Sequence, residues 1–260
     1  MAELREPLPA TLLALDAKDY SRRPALAHLE VRKGIREVTM EGFHRANIDP
    51  IAVTRQDTGD GLLAVIPAHV PKAAVVADLV RELGLAVAGY NRTRNEEGRL
   101  RLRVALHHGD VIIDGTGFAG EAPIVVTRLL DALPARAALD DDPSLDLAVI
   151  LSERLFADTV AERFRGLDPA DFVRVGVESA KYQAAAWLRS RPGVGDATES
   201  GHGGGPDLGD PAPALPPPAA PGPAAGPTEA APSTRGAVQV VINTVNGGAH
   251  GNSLNFGFGG

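Results

Sequence analysis

There is no cysteine among the 260 residues, which excludes disulfides, zinc–thiolate sites and thiol nucleophiles together. Aromatic residues are scarce at 4%, with a single tryptophan, while hydrophobic residues reach 44%, so the core must be built from Ala, Leu and Val. Positive charge is short as well. Against 33 acidic residues there are 26 Lys and Arg, and the formal charge of −7 gives no basic footprint for nucleic acid or an anionic lipid surface. No apolar run approaches the length of a membrane span. Met1 to Pro9 carries Glu3, Arg5 and Glu6 where a signal peptide would need an apolar centre. These absences predict a soluble, cytoplasmic protein that binds no nucleic acid.

What is present falls into three parts. Residues 1–191 alternate apolar strands with amphipathic helices. Residues 192–236 are mostly Gly, Pro and Ala, including Ala214-Leu215-Pro216-Pro217-Pro218. Such a stretch buries too little apolar area to offset ordering, so it is expected to be a disordered linker. Residues 237–260 turn to Val, Asn and Gly and contain no proline.

Within the first part, Leu12 to Asp16 reads as a buried strand. Pro24 to Arg45 reads as a helix, with Leu26, Leu29, Val31, Ile35 and Val38 near helical spacing. Ile51–Arg55 and Leu62–Ile66 form a predicted hairpin turning through Asp57 to Gly61. Pro71 to Asn91 is a second helix, opened by a proline suited to its first turn. Leu100–His107 alternates apolar residues with Arg101 and Arg103, and a Gly109-Asp110 turn leads to Val111–Ile113. Ala122–Leu133 is a third helix. Leu145–Leu151, Ser152–Phe164, Val173–Val177 and Ala184–Leu188 supply strand, helix, strand and strand. The order βαββαββαβαββ predicts an α+β domain, a mixed sheet with packed helices.

Two acids stand out because each ends or opens an apolar strand. Asp16 closes Thr11-Leu12-Leu13-Ala14-Leu15-Asp16, and Asp60 precedes Gly61-Leu62-Leu63-Ala64-Val65-Ile66. Acids at neighbouring strand tips, facing outward, form a hard-oxygen site for Mg²⁺ or Mn²⁺. Read blandly, both simply end strands and face water, and the Thr58-Gly59-Asp60-Gly61 turn needs small and Asp-like residues just to close. Other clusters carry less. His107 and His108 are adjacent on a strand, point to opposite faces and cannot chelate one ion. Asp140-Asp141-Asp142 reads as a solvated loop, and Trp187 as packing.

Leu13-Ala14-Leu15-Asp16 with Tyr20-Ser21, then Thr58-Gly59-Asp60-Gly61, resembles the two metal-binding segments of class III nucleotide cyclases. Arg101 to Val111 resembles the strand–turn–strand that follows in that family, and Gly117–Gly120 with Arg128-Leu129-Leu130-Asp131-Ala132 resembles its helix ending in an arginine. The match runs in order over residues 10–189. The resemblance implies a ferredoxin-like mixed sheet, a homodimer sharing two sites, and ATP or GTP as substrate. It places Asp16 and Asp60 on the metal ions, and Arg128 on the partner's phosphate as the catalytic arginine. Gln56, Gly59 and Lys181 fall at the nucleotide.

The sequence also departs from the family pattern. Asp19 stands where the family has a glycine in the phosphate-wrapping turn. Gln56 replaces a base-reading lysine, and Ile124 replaces an asparagine that orients the ribose. Glu178 lies about where a triphosphate-binding lysine is expected, unless Lys181 serves. Each lost polar group costs roughly 2.7–4 kcal/mol of transition-state stabilisation. The expectation is therefore a cyclase-fold signalling or effector domain with weak or no activity. The alternatives are a working cyclase making cyclic AMP or cyclic GMP, and a scaffold whose globular part only dimerises.

The tail carries its own signal. Val238 to Val245 has high β-propensity, no formal charge and no proline, with Gln239 and Asn243 able to form side-chain ladders. With His250-Gly251-Asn252-Ser253-Leu254-Asn255 it resembles the amyloid signalling motifs by which bacterial effectors recruit proteins carrying a matching motif. The bland reading is a sticky terminus. A peptide of residues 237–260 is expected to bind thioflavin T and to give the ~4.7 Å cross-β reflection. Proline at Val240 and Leu254 should abolish both, and a wild-type peptide that stays monomeric with and without partner motifs would leave only the sticky end.

Overall fold

The computed structural model describes residues 6–179 and 182–190, so Lys181, the expected linker at 192–236 and the expected recruitment tail at 237–260 lie outside the described residues. The central element is β1 (Leu8–Ala17), a strand of Leu, Ala and Thr that is buried from Ala10 onward. It is paired antiparallel on both sides, with β3 (Gly61–Pro67) and with β4 (Leu102–Asp114). β2 (Thr54–Asp57) continues the sheet beyond β3, and β5 (Gly117–Ala119) pairs with the far end of β4. On the other side β6 (Leu147–Ser152) runs parallel to β4, followed by β8 (Tyr182–Arg189) and β7 (Phe172–Ser179). The order β2-β3-β1-β4-β6-β8-β7, with one parallel pair, is a mixed α+β sheet.

Because β1 is covered on both faces, its two-residue alternation sorts the core into two clusters. Leu13, Leu15 and Ala17 pack with Val31, Ile35 and Val38 of α1 (Ala25–Arg45) and with Leu83 and Val87 further along the chain. Ala10, Leu12 and Ala14 face the opposite way, toward Ala122, Val126 and Leu129 of α4 (Glu121–Leu130). The second helical region starts as α2 (Lys72–Ala74), passes through a π turn at Val75–Leu79 and continues as α3 (Val80–Asn91). The crossover from β4 to its parallel neighbour β6 contains both α4 and a further helix, α5 (Leu133–Asp141).

Several expected boundaries are corrected. β4 is one strand from Leu102 to Asp114, and Gly109 and Asp110 pair with Ala10 and Pro9 instead of turning. The first hairpin strand starts at Thr54, and Ile51 is 93% exposed in the connection before it. Residues Pro134 to Asp141 form α5 where a loop was expected, and the next helix, α6 (Glu153–Thr159), stops short of Phe164. Leu26 and Leu29 are exposed, not core. Leu26 precedes Ile35 by nine residues, as Leu29 precedes Val38, and at ~100° per residue such pairs lie on opposite faces of a helix. Among the described residues no helix is long and apolar enough to cross a membrane.

Trp187 does pack as expected. Its ring stacks on Phe156 at a centroid distance of 3.6 Å, and its Nε1 donates to Glu153 at 2.8 Å. The two histidines also point apart: His107 Nδ1 is 2.9 Å from Ser152 Oγ, while His108 Nδ1 is 3.0 Å from Thr11 Oγ1. Burial, helped by Arg154 and His108, pushes the His107 pKa down to about 4, so the ring is neutral near pH 7.

The β2–β3 hairpin and its packing on β1 depend on two glycines of different character. Gly59 has φ 95° and supplies the left-handed turn, with open space where a Cβ would stand. Gly61 does not need an unusual φ, but a Cβ there would meet Leu15 O at 1.9 Å and Asp16 Cα at 2.9 Å. Backbone, not a movable side chain, fills that space. Gly61→Ala should therefore destabilise the fold by about 3 kcal/mol, whereas Thr58→Ala in the adjoining turn should cost under ~1 kcal/mol. Urea unfolding of both variants tests the difference, and a neutral Gly61→Ala would show that the strands have room to separate.

Candidate functional site

β1 runs out at the edge of a cleft of about 400 Å³ that includes Asp16, Asp19, Asp60 and Arg103 in its lining. The pairing register explains the convergence. Asp16 lies opposite Gly61 on β3 and opposite Arg103 on β4, and Ala17 N donates to Asp60 O at 2.9 Å. Asp16 shares the sheet face of Leu12 and Ala14, toward α4. The loop between α4 and α5 adds Asp131, and α5 itself adds Arg136 and Asp140.

Asp16 was expected to face outward. Instead it is buried, at 8% exposure, and Arg103 grips both of its oxygens. Arg103 Nε donates to Oδ1 at 2.7 Å and Nη2 donates to Oδ2, a bidentate pair. The register places an arginine beside the acid, and a buried carboxylate requires such a partner. Burial still dominates and raises the Asp16 pKa above its ordinary value. Arg103 opposes the shift, and the charges of Asp60 and Asp131 add to it.

The same pairing runs through the whole cleft. Lys18 Nζ lies 2.5 Å from Asp140 Oδ1, Arg22 Nη1 lies 3.2 Å from Asp19 Oδ1, and Arg136 Nη2 lies 2.7 Å from Asp131 Oδ1. With Arg103 on Asp16, each of the four cations in the lining is held by one of its carboxylates. The carboxylate left over is Asp60, which has no ion pair among the described residues. The formal balance of the lining, five acids against four cations, is −1.

Asp19 occupies a left-handed conformation, φ 58° and ψ 22°. That geometry is why a glycine suits the position and why an Asp, which tolerates αL better than most residues, is found there. Its carboxylate turns to Arg22, so its charge remains in the cleft but is paired.

The remaining sequence-predicted residues are elsewhere. Gly59 lies beside Asp60 on the turn but lines a different cavity. Gln56 lies against β5, since a Cβ at Gly117 would meet Gln56 Oε1 at 3.0 Å, and it does not line the cleft. Arg128 sits in the last turn of α4 and is likewise outside the cleft lining, as is the half-buried Ile124 one turn earlier. Glu178 is exposed on β7, where Gln183 Nε2 donates to it at 3.1 Å. The structure therefore brings together Asp16 and Asp60 and separates them from Arg128 and Gln56.

Sequence reading missed Arg103, Lys18, Arg22, Asp131, Arg136 and Asp140 as members of this site. Arg103 was legible in principle, as the odd residue between buried Leu102 and Val104. Arg136 and Asp140 were not, because α5 itself was read as a loop.

No protein-family model matches this sequence, and no curated protein is similar to it. Similarity appears in solved structures. The adenylate/guanylate cyclase/hydrolase from Silicibacter pomeroyi is similar over 72% of this chain and 99% of its own, with 19% identity and a TM-score of 0.52. The guanylyl cyclase Cya2 is similar over 71% of this chain and 92% of its own, with 15% identity and a TM-score of 0.49. The catalytic core of a rhodopsin-guanylyl cyclase with converted specificity, in complex with ATPαS, covers 72% and 98%, with 14% identity and a TM-score of 0.49. At such identities the likeness to the Silicibacter protein establishes the fold, that of a nucleotide-cyclase domain.

The Asp16–Arg103 pair generates a pH signature. Arg103→Gln leaves a buried carboxylate without its cation, and breaking such a pair costs about 3–5 kcal/mol at neutral pH. A raised folded-state pKa means that the fold prefers the protonated acid. Stability is then full below the ordinary carboxylate range and falls as pH rises through the shifted value. Without Arg103 that shift grows, so the variant should lose stability between pH 4 and pH 7 more steeply than the wild type. Parallel unfolding curves across this range would show that Asp16 does not depend on Arg103.

Proposed function

We propose that residues 1–191 form a cyclase-fold signalling or effector domain that binds ATP or GTP together with a divalent cation and cyclises it weakly or not at all. In this reading the domain works as a cytoplasmic homodimer. The 192–236 segment tethers it to the 237–260 tail, which recruits proteins carrying a matching amyloid-like motif. The observation that carries the reading is the neutralised cleft. Every cation that lines it is already paired with an acid, and the lining as a whole is slightly negative. A triphosphate entering alone would meet more negative charge than free positive charge. It must either break those pairs or arrive with its own divalent ions.

Asp60 offers such an ion an unpaired carboxylate, and Asp16 beside it would join as a donor through the lone pairs that Arg103 leaves open. Among the described residues no group of three His, Asp or Glu side chains converges, so triphosphate oxygens and backbone carbonyls would complete the shell. A bound Mg²⁺ or Mn²⁺ would supply positive charge to the phosphates and acidify a ribose hydroxyl. Lys18, Arg22 and Arg136 border the same space and would orient phosphate oxygens as their own carboxylates release them. Ile124 and Gln56 lie outside this cleft, and weak turnover follows where they meet the ribose and base in the partner protomer's site. Ile124 offers no hydrogen bond, and Gln56 carries no charge. Arg128, on α4 and away from this cleft, fits a role in the partner protomer's site.

The second reading, an active cyclase, draws on the unpaired Asp60 beside Asp16, the arrangement that two-metal chemistry requires. Incubation of the full chain with ATP or GTP and Mn²⁺, with product analysis, separates the two. The expected result is binding of a non-hydrolysable triphosphate that requires the divalent ion and weakens at least tenfold in Asp60→Asn. Turnover should stay well below the ~1 s⁻¹ typical of enzymes and rise in the triple variant Asp19→Gly, Gln56→Lys, Ile124→Asn. Cyclic nucleotide formation at ~1 s⁻¹ or more would establish the second reading. Equal triphosphate affinity with and without metal would overturn the first.

A further inference from the structure

On the opposite side of the Asp60 hairpin the structure has a second cavity, of about 490 Å³, between α1 and the β2–β3 hairpin. Three arginines reach it: Arg32 and Arg36 from successive turns of α1, and Arg55 from β2. The alternation of β2 separates this site from the other face of the hairpin, because Arg55 and Asp57 line the cavity while Gln56 lies against β5. Asp57 is the one acid in the lining, and it is taken by Arg36 at 3.2 Å. Arg55 lies against Met40 Sδ, a weak acceptor, and neither Arg55 nor Arg32 has a carboxylate partner among the described residues. The inner wall is apolar, from Ile35 and Leu62.

Thr39 supplies an independent observation. It lines the cavity at 3% exposure, and its Oγ1 is buried with no hydrogen-bond partner. A buried hydroxyl without a partner costs on the order of 1–3 kcal/mol and is rare in native proteins. In a helix, threonine has two accessible χ1 rotamers about 120° apart, so a rotamer change lets the hydroxyl turn toward the cavity. An acceptor inside the cavity would satisfy it.

We propose that this cavity is a binding site for a small organic anion, with a phosphate or carboxylate head held by Arg32 and Arg55, its acceptor oxygen taking the Thr39 hydroxyl, and an apolar body resting on Ile35 and Leu62. Guanidinium pairs suit planar, multidentate oxyanions, and the volume lies in the range of small-molecule sites. The contrast with the Asp16 cleft is physical. There every cation is internally neutralised, whereas here two guanidiniums are left over in a chain whose formal charge is −7. The occupant would touch Gly59 and Gly61, the residues that flank Asp60.

Titration of the full chain with phenyl phosphate, benzoate, inorganic phosphate and benzyl alcohol, followed by NMR of the Ile35 and Leu62 methyl groups, tests the site. Saturable shifts are expected with phenyl phosphate or benzoate, and whichever binds tighter identifies the head group. Inorganic phosphate and benzyl alcohol should each bind at least tenfold more weakly, since each lacks one half of the recognition. Arg32→Gln and Arg55→Gln should each weaken the preferred anion about tenfold and Thr39→Val several-fold. Absence of saturable shifts with both organic anions, or shifts that persist in the Arg32→Gln/Arg55→Gln double variant, would overturn the proposal.

Discussion

A buried carboxylate held by one arginine, Asp16 on Arg103, is the constraint around which this fold is arranged. β1 is covered on both faces, so a charge near its end is largely withheld from water and has to be compensated from within. The compensation comes from the neighbouring strand at the paired position, which fixes β4 in register with β1. On the other side Gly61 lets β3 approach so closely that a single added methyl would strike the β1 backbone. These two contacts bring Asp60, Asp16 and Arg103 into one cleft, and α5 closes it with Arg136 and Asp140.

The electrostatics of that cleft decide what the fold can do there. Its charges are numerous but mutually satisfied, and pairs of this kind hold geometry while offering little net field to a visiting anion. Asp60 is the exception: it has no ion pair among the described residues and lies beside the Arg103-held Asp16. Under the proposed reading, a nucleotide in that cleft would depend on metal far more than one in a cleft lined by free lysines. The second cavity, across the hairpin, has the reverse balance, with two guanidiniums, Arg32 and Arg55, that no acid among the described residues pairs. One hairpin thus separates a cleft whose cations are all paired from a cavity in which Arg32 and Arg55 have no carboxylate partner among the described residues.

Much of this was legible along the chain, because alternation and helical spacing are local properties. Buried β1, the hairpin carrying Asp60, α1 and α4 all follow from apolar periodicity, and the opposed directions of His107 and His108 follow from the strand geometry alone. Local signals failed where tertiary pairing overrode them. Gly109-Asp110 reads as a turn, yet β1 offers partners to both residues and carries β4 straight through. Asp140-Asp141-Asp142 reads as a solvated loop, yet buried Ala135 and Leu139 dock the preceding residues as a helix that runs on to Asp141.

The α+β class and the two acids at strand tips could be read from the chain alone, since each depends on residue type and near neighbours. Only the tertiary structure decided that Asp16 is buried instead of solvent-facing, that Arg103 holds it, and that Lys18, Arg22, Arg136 and their acids form one neutralised lining. Those facts depend on strand register and on the docking of α5, contacts between residues far apart in the chain. No local pattern encodes which charges such contacts bring together.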